Sequence, residues 1–269
     1  MQNIVQYLPF LCWIECVKIA TWNVNSLKVR LEQVLQWLVD HKPDVMALQE
    51  TKVTDENFPL EAIRQVGYQA VYSGQKTYNG VAILSKLPAT KVISDFPTFG
   101  DQQRRVLAAT IKNVRVLNLY VPNGGTVESD KYLYKLDWLT HLNRYVQQQL
   151  TQYQKFVVLG DFNIAPADID VHDPELWKDS VLCSDKERAA LKKLLYLGLV
   201  DVYRYLNEGA EYTWWDYRQA AFRRNMGLRI DLILANKGFA SDFTRVVIDK
   251  LARKWKRPSD HAPVLAELK

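Results

Sequence analysis

The chain has 269 residues, of which 48% are hydrophobic and 24% are charged, the balance of a globular protein with a sizeable core. Lysine and arginine exceed aspartate and glutamate by five, so a polyanionic partner is compatible with the charge but not required by it. No Gly-, Ser- or Pro-rich stretch, repeat or low-complexity tract divides the chain, which excludes a repeat protein and favours one domain over residues 17–269.

The first sixteen residues are apolar, but they differ from a secretory signal and from a membrane span. They lack a basic start, contain Pro9 and Glu15, and are fewer than the roughly 20 residues that cross a bilayer. We expect an N-terminal extension, and a second possibility is that translation begins at Val17. The three cysteines cannot all pair and none has zinc-site spacing, which predicts an intracellular protein with reduced cysteines. We also expect a cytoplasmic monomer that contacts no membrane.

Short apolar runs rich in β-branched residues alternate with helical patterns, which indicates an α/β protein. After a first strand, Ser26 is predicted to cap a helix that Pro43 ends, and a second long helix is predicted over 129–150. In chain order, the predicted strands are 17–23, 44–49, 69–73, 80–86, 105–111, 115–121, 156–159, 229–235 and 261–267.

Polar, acid-bearing segments stand where several of these strands end. They contain Asn23, Glu50, Asp161 with Asn163, Asp231, and Asp260 with His261. A strand end is a rigid place from which to aim a catalytic side chain. Taken singly, Glu50 could cap the next element and His261 could be a core histidine, but the recurrence favours one shared site.

Carboxylates at two of these positions, Glu50 and Asp260, are hard oxygen ligands of the kind that Mg²⁺ prefers. Gly160 permits a tight exit from its strand, and Asp161 and Asn163 point to the same side if the chain stays extended. A carboxylate there can deprotonate a water, and an amide can hydrogen-bond a phosphoryl oxygen.

The histidine of the segment SDHAP (259–263) needs a partner to fix its tautomer, and Asp231 is the best candidate partner of His261. The sequence has no P-loop, no dinucleotide-binding glycine motif after a strand and no serine nucleophile elbow. Metal-assisted attack of water on a phosphodiester is the chemistry that remains.

Eight segments in order resemble the exonuclease III / apurinic endonuclease family of the deoxyribonuclease I-like superfamily. They are TWNVNSL (21–27), PDVMALQETKV (43–53), NGVAILSK (79–86), LYVPNGG (119–125), GDFNIAP (160–166), YTWWDYR (212–218), GLRIDLIL (227–234) and KRPSDHAPV (256–264). The resemblance implies a four-layered α/β sandwich in which two packed mixed β-sheets are flanked by helices.

The resemblance also implies metal and phosphate roles. Glu50 is the implied main ligand of Mg²⁺, with Mn²⁺ as a possible substitute, and Asn23 and Asp260 lie nearby. Asp161 resembles the residue that activates the attacking water, and Asn163 resembles one that contacts the scissile phosphate. Both are also implied to lie against the metal.

The remaining catalytic roles are implied in the same way. Asp231 and His261 resemble the family's hydrogen-bonded pair, and Tyr120 resembles a tyrosine whose hydroxyl reaches the phosphate. Asn25 stands where some relatives carry Asp, which leaves a second metal contact open. The implied mechanism is in-line attack of an activated water, with transition-state charge spread over the metal and His261.

A DNA-contacting surface is implied around these motifs. Trp214 resembles the wall of a pocket for a flipped-out abasic sugar, Trp215 is predicted to be core, and His172 is predicted to obstruct or line the pocket. The residues predicted to contact DNA beside family motifs are Lys52, Arg105, Asn123, Arg223 and Arg224. Further basic residues predicted to contact phosphates are Arg104, Lys250, Arg253, Lys254, Lys256 and Arg257.

The predicted function is a Mg²⁺-dependent phosphodiesterase of DNA base excision repair. Its expected partner is double-stranded DNA with abasic sites, nicks or recessed 3′ ends, and its activities would be 3′→5′ exonuclease, incision 5′ to abasic sites and 3′-end cleaning. One alternative is another phosphoesterase of the superfamily, such as a non-specific nuclease or lipid phosphatase, which would lack YTWWDYR followed closely by GLRID. The other is a DNA-binding module that has lost catalysis, against which the catalytic residue types argue.

Overall fold

Two six-stranded sheets form the centre of this computed structural model, which describes residues 17–97 and 99–269. The predicted N-terminal extension, residues 1–16, lies outside the described residues. The first sheet has the order β11-β12-β1-β2-β4-β3 and the second has the order β5-β6-β7-β8-β10-β9. The strands are β1 Val17–Asn23, β2 Val45–Gln49, β3 Gln69–Ser73, β4 Val81–Ser85, β5 Ala89–Ile93, β6 Val106–Ile111, β7 Val114–Tyr120, β8 Phe156–Asp161, β9 Leu199–Asp201, β10 Asp231–Asn236, β11 Phe243–Ile248 and β12 Val264–Leu268.

Each sheet is mixed, because it contains one parallel pair among antiparallel neighbours. β1 runs parallel to β2, and β7 runs parallel to β8. β8 is a continuous apolar run that is buried along its whole length, as expected for a strand covered on both faces. The carboxyl ends of these parallel pairs lie where the predicted site residues are.

Helices flank the two sheets. They are α1 Leu27–His41, α2 Leu60–Gln65, α3 Asp130–Gln152, α4 Pro174–Trp177, α5 Asp185–Tyr196, α6 Val202–Leu206 and α7 Lys237–Ala240. One buried cluster lies between the sheets, a second joins α3 and α5 to the second sheet, and a third joins α1 and α2 to the first sheet. The layers are therefore helix, sheet, sheet and helix, and the predicted four-layered sandwich is confirmed. None of the helices in the described ranges is long and apolar enough to cross a membrane.

The predicted cap of α1 is wrong in its mechanism. The side chain of Ser26 makes no capping hydrogen bond, and its backbone has a φ of 93°. Instead the backbone N–H groups of Ser26 and Leu27 donate to the carbonyls of Glu50, at 2.8 Å, and Thr51, at 2.9 Å. The loop after β2 therefore supplies the acceptors at this helix start, and the same contact holds Glu50 beside the end of β1.

Two predicted strands begin later than expected. The strand predicted at 229–235 begins at Asp231, and the one predicted at 261–267 begins at Val264. His261 instead forms an isolated bridge with Trp214. The strands β5, β9 and β11 and the helices α2, α4, α5, α6 and α7 were not predicted. β5 is mostly exposed, so it lacks the apolar run that identifies a buried strand.

Candidate active site

Three polar side chains meet where β1, β2 and β8 end. Asn23 is the last residue of β1, Glu50 follows β2, and Asp161 is the last residue of β8 in the other sheet. The amide nitrogen Nδ2 of Asn23 donates to Glu50 Oε1 and to Asp161 Oδ2, each at 2.9 Å. One amide therefore ties together carboxylates that come from different sheets, as the shared site required.

The acidic pair offers hard oxygen ligands in a confined place. Ligand atoms of Glu50, Asp161 and His261 all lie within 4.8 Å of one another. Two carboxylates this close repel each other, and a divalent cation with oxygen ligands relieves that repulsion. The donor set fits Mg²⁺ or Mn²⁺ on the two carboxylates, whereas His261 is held protonated by its acidic neighbours and offers no lone pair.

Lys52, predicted as a DNA contact, is drawn into this site. Its ammonium lies 2.8 Å from Glu50 Oε2 and donates to Asn25 Oδ1 at 2.6 Å. It therefore offsets the negative charge of the cluster in this structure. A contact of Lys52 with DNA stays a prediction.

Hydrogen bonds fix the side chains of Asn23 and Asp260, and their roles as metal ligands stay predictions. The Oδ1 atom of Asn23 accepts from the backbone N–H of Asn25 at 3.0 Å, which turns its nitrogen toward the carboxylates. Asp260 lies outside the acidic group: its oxygens accept from Asn25 Nδ2 at 3.0 Å and Trp214 Nε1 at 3.1 Å. Burial opposes the charge of Asp260, but the neighbouring His261 and these hydrogen bonds outweigh it and lower the pKa of that carboxyl.

The turn after β8 differs from the extended chain that the sequence suggested. Asn163 has a φ of 49°, in the left-handed region, and its N–H donates to Asp161 Oδ1 at 2.8 Å. Its side chain donates to Val121 O at 2.9 Å. Gly160 is required here, because a Cβ atom at its φ of 135° would lie 2.0 Å from Leu119 O. The pair lies side by side through this turn rather than through strand alternation.

Asp161 has the environment of a proton acceptor. Its side chain is buried, and burial raises its pKa to about 7, with further raising by Asp231 and Glu50 and opposing effects of His261 and Asn23. A carboxylate with a pKa near neutrality can accept a proton from water at physiological pH.

His261 is held by two carboxylates. Its Nδ1 lies 2.8 Å from Asp231 Oδ2, so the predicted hydrogen-bonded pair is present, and its Nε2 lies 3.8 Å from Asp161 Oδ2. Burial alone would lower the pKa of His261, but the charges of Asp231 and Asp161 outweigh it and raise that pKa to about 10. The imidazole is therefore a cation whose Nε2–H can be donated.

Tyr120 completes the polar floor of the site. Burial, followed by the charges of Glu50 and Asp161, raises its pKa well above the ordinary value, so it presents a neutral hydroxyl donor. The guanidinium of Arg105 stacks 4.7 Å from the Tyr120 ring centre and donates to Tyr120 O at 3.3 Å. Arg105 was predicted only as a DNA contact, and its packing against Tyr120 was missed.

A pocket of about 420 Å³ opens beside Trp214. His172 and Trp177 line it, and their rings pack edge to face at 6.5 Å, while the Trp177 and Trp214 rings do so at 6.2 Å. The sequence placed His172 and Trp214 at one pocket, and both lie there. Trp177 was missed, although it lies only five residues after His172. Trp215 is fully buried, as predicted.

The predicted basic contacts divide into exposed and buried residues. Arg223 and Arg224 are exposed, as a phosphate contact requires, but Arg218 lines the pocket in their place. The prediction for Arg253 is wrong: it is 6% exposed and its guanidinium lies 5.0 Å from the Phe222 ring centre. Arg253 is buried against aromatic side chains, where its guanidinium cannot reach DNA.

Comparisons with known proteins agree with this geometry. Residues 20–261 match the model of the Endonuclease/Exonuclease/phosphatase family, and the chain is 34% identical over 267 residues to exodeoxyribonuclease III of Haemophilus influenzae, covering 94% of this chain and all of that protein. The chain belongs to the endonuclease/exonuclease/phosphatase family. A Neisseria 3′ phosphatase, NExo, solved with a product DNA hairpin, shares this family fold with a TM-score of 0.93 and 49% identity, covering 94% of this chain and 99% of that one.

An AP endonuclease from Archaeoglobus fulgidus also superposes on this chain, with a TM-score of 0.90 and 40% identity, covering 94% of this chain and 99% of that one. The predicted family, fold and enzyme class, a DNA-repair nuclease, are confirmed by these relatives. The family is divalent-metal dependent, and within the described residues the cluster around Glu50 and Asp161 is an acidic site suited to such an ion.

Proposed function

We propose that this protein is a Mg²⁺-dependent phosphodiesterase of DNA repair, with Mn²⁺ as a substitute ion. One observation carries the proposal: the buried carboxylate of Asp161 lies between Glu50, to which Asn23 ties it, and the Asp231–His261 pair. In this arrangement an ion-binding carboxylate, a proton acceptor and a cationic donor would surround one small space.

The proton is taken by Asp161. A water in line with the phosphorus would donate to this carboxylate, whose pKa near 7 leaves it able to accept. The Asn163 N–H bond to Asp161 Oδ1 and the Asn23 bond to Oδ2 fix the carboxylate plane. When bound, a divalent cation at Glu50 supplies electrostatic stabilisation of the phosphoryl and leaving oxygens.

Two donors are proposed to bind the phosphoryl group, the Nε2–H of His261 and the hydroxyl of Tyr120. The side-chain nitrogen of Asn163 donates to Val121 O at 2.9 Å and to Asp161 Oδ2 at 3.3 Å, so Asn163 is proposed to orient the Asp161 carboxylate. Donors that are fixed before the reaction stabilise the negative charge that develops on phosphoryl oxygens, which is commonly the largest contribution to catalysis. Asp231 keeps His261 in the charged form in which it donates from Nε2.

We infer that the substrate is double-stranded DNA with a recessed 3′ end, a nick, a blocked 3′ terminus or an abasic site. The named activities of the relatives, exodeoxyribonuclease III, 3′ phosphatase and AP endonuclease, support this set. The pocket at Trp214 would take the 3′-terminal or abasic nucleotide, because its aromatic walls can replace a lost stacking partner. Exposed Arg223 and Arg224, together with Asn123, would contact the backbone.

His172 is proposed to set the balance between terminal and abasic-site cleavage. Its ring lines the pocket, and its N–H and ring Nδ1 both lie against Gly227 O, at 3.1 Å and 3.3 Å, which holds the ring in place. Replacing it by glycine should enlarge the pocket. We expect His172→Gly to change the ratio of abasic-site incision to 3′-end digestion at least about tenfold; an unchanged ratio, with His172→Ala as the backbone control, would remove this role.

The function is tested with purified protein, labelled duplexes and defined metal. The substrates are a recessed 3′ end, a 3′-phosphate and an abasic-site duplex, each with Mg²⁺, Mn²⁺ or a chelator. We expect cleavage only with metal and a loss of at least about 10³-fold in Glu50→Gln, whereas Glu61→Gln, an exposed helix residue, keeps full activity. Intact DNA in every reaction would refute the proposal, and cleavage of a phosphoinositide but not DNA would favour a lipid phosphatase.

A further inference from the structure

A fully buried ion pair lies behind the catalytic turn and has no role in the mechanism described above. Lys135 of α3 and Glu187 of α5 form a salt bridge, and both side chains are 0% exposed. Burying two charges is costly, and apolar residues of similar volume commonly stabilise a core as well or better. The pair therefore calls for a reason other than packing.

The ammonium of Lys135 donates its other two hydrogen bonds to backbone carbonyls beside the active site. It donates to the backbone carbonyl of Asn163 at 2.6 Å and to that of Asn123 at 3.1 Å, in addition to Glu187. All three N–H bonds of the lysine are thus used. The two residues whose carbonyls it holds also meet through their side chains, since Asn123 Nδ2 donates to Asn163 Oδ1 at 3.1 Å.

Asn163 is consequently held through both of its backbone polar groups. Its N–H donates to Asp161 Oδ1, and its carbonyl accepts from Lys135. Its φ of 49° lies in the left-handed region, which asparagine adopts more readily than most residues, and these contacts stabilise that conformation. The stem of Lys135 also supports the neighbouring loop, where a Cβ on Gly124 would lie 3.1 Å from Lys135 Cδ.

Glu187 is anchored in turn by the segment before α5. Its Oε1 accepts from the N–H of Leu182 at 3.1 Å, and its Oε2 accepts from the N–H of Ser184 at 3.2 Å and from the Ser184 hydroxyl. That hydroxyl meets Tyr132 OH at 2.7 Å, one helical turn before Lys135. The carboxylate of Glu187 is therefore fixed in place, and its salt bridge fixes the ammonium of Lys135 in turn.

We propose that the Lys135–Glu187 pair is a positioning device that sets the side-chain amide of Asn163, which donates to Asp161 Oδ2 at 3.3 Å and accepts from Asn123, against the proton-accepting carboxylate. Neither member touches substrate. The pair acts through the two backbone carbonyls, and it rests on the proposed function because Asn163 must act in the chemistry for its placement to affect the rate.

The test is a double-mutant cycle on the full-length chain with metal and a 3′-recessed duplex. Lys135→Met keeps the length of the side chain and removes its donors. We expect kcat to fall about 10–100-fold while KM changes less than about threefold, as for a group that is used in the transition state. In an Asn163→Ala background the same change should cost less than about threefold, because the group it positions is already gone.

Controls separate positioning from folding. Lys155→Met removes an exposed ion pair with Asp242, at 3.2 Å, and should leave kcat unchanged. Glu187→Gln is the second variant, for use if Lys135→Met does not fold, because it keeps a neutral acceptor; its fold is checked by circular dichroism. It should lower kcat about 5–20-fold, and this loss should again be smaller in the Asn163→Ala background. Effects that multiply in the cycle, or no loss of kcat in a folded variant, would overturn the proposal. An inactive wild type would instead refute the proposed function.

Discussion

The Asp231–His261 pair makes a prediction about pH that the geometry allows to be worked out in sign and size. The pKa of His261 is raised from 6.5 to about 10, which corresponds to roughly 5 kcal/mol of preference for the protonated ring. Asp231→Asn removes the nearer of its two acidic partners, at 2.8 Å, and leaves Asp161 at 3.8 Å. The pKa of His261 should fall into the range in which activity is assayed.

The wild type and the variant should then respond differently to alkali. In the wild type the cationic donor persists up to about pH 10, whereas in Asp231→Asn it is lost as the pH rises through the lowered pKa. We expect kcat of the variant to be reduced about 10²-fold or more near pH 8, and the ratio of wild-type to variant kcat to grow at least about tenfold between pH 6 and pH 9. Asp249→Asn is the matched control, because Asp249 lies 3.5 Å from His41 in an aspartate–histidine contact remote from the site.

The free energy of unfolding provides an independent test of the charge on His261. A group whose folded-state pKa is raised contributes stability that is fully present below its unfolded pKa, 6.5, and is lost as the pH rises through about 10. The free energy of unfolding lost in Asp231→Asn should therefore be largest near pH 6, about 3–5 kcal/mol, and should shrink toward pH 10. A kcat ratio and a stability difference that are both independent of pH would refute the charged state assigned to His261.

Three further predictions concern the ion and the scaffold. Glu50→Gln should weaken Mn²⁺ binding by at least about tenfold in calorimetry, because a charged ligand is lost. It should not lower the melting temperature, because the repulsion between Glu50 and Asp161 is relieved. Gly160→Ala should destabilise the protein by roughly 3–5 kcal/mol in denaturant unfolding, since its Cβ would lie 2.0 Å from a carbonyl, whereas Gly238→Ala, with open space around it, should be close to neutral. Arg229→Met should cost roughly 3–5 kcal/mol by the same measurement, because it removes the buried guanidinium that pairs at 2.7 Å with Asp170 and Asp201 and leaves Asp170 only its pair with Arg204. A change below about 1 kcal/mol would contradict the importance of that contact.

The strands that carry the site were predictable because they are apolar runs ended by polar residues. β1, β2 and β8 are buried throughout most of their length, and such runs stand out in a sequence. β5, β9 and β11 were missed, because they are short or largely exposed and their register depends on neighbours distant in the chain. The amphipathic helix α5 was also missed, although its buried residues Leu191 and Leu194 have helical spacing.

Within the site, residue types were more predictable than their contacts. The identity of Glu50, Asp161 and His261 followed from their place at strand ends, but the geometry around them is set by tertiary contacts that no local pattern encodes. Lys52 illustrates this: a basic residue after a strand suggests a phosphate contact, yet its ammonium pairs with the carboxylate two residues earlier. Arg253 has the same sequence appearance as an exposed arginine, but three aromatic rings surround it.

The two sheets supply different parts of the site, so their packing decides whether the site exists. Glu50 follows a strand of one sheet and Asp161 ends a strand of the other. Beneath them, Asn118 of the second sheet donates to the carbonyls of Leu48 and Ala82 in the first, each at 2.9 Å, and accepts from Gln49 at 2.7 Å. Because a buried amide with unmet partners is costly, this network favours a single alignment of the two sheets. The residue next to Gln49 is Glu50, so the alignment that satisfies the buried amide of Asn118 also brings the two carboxylates within reach of one ion.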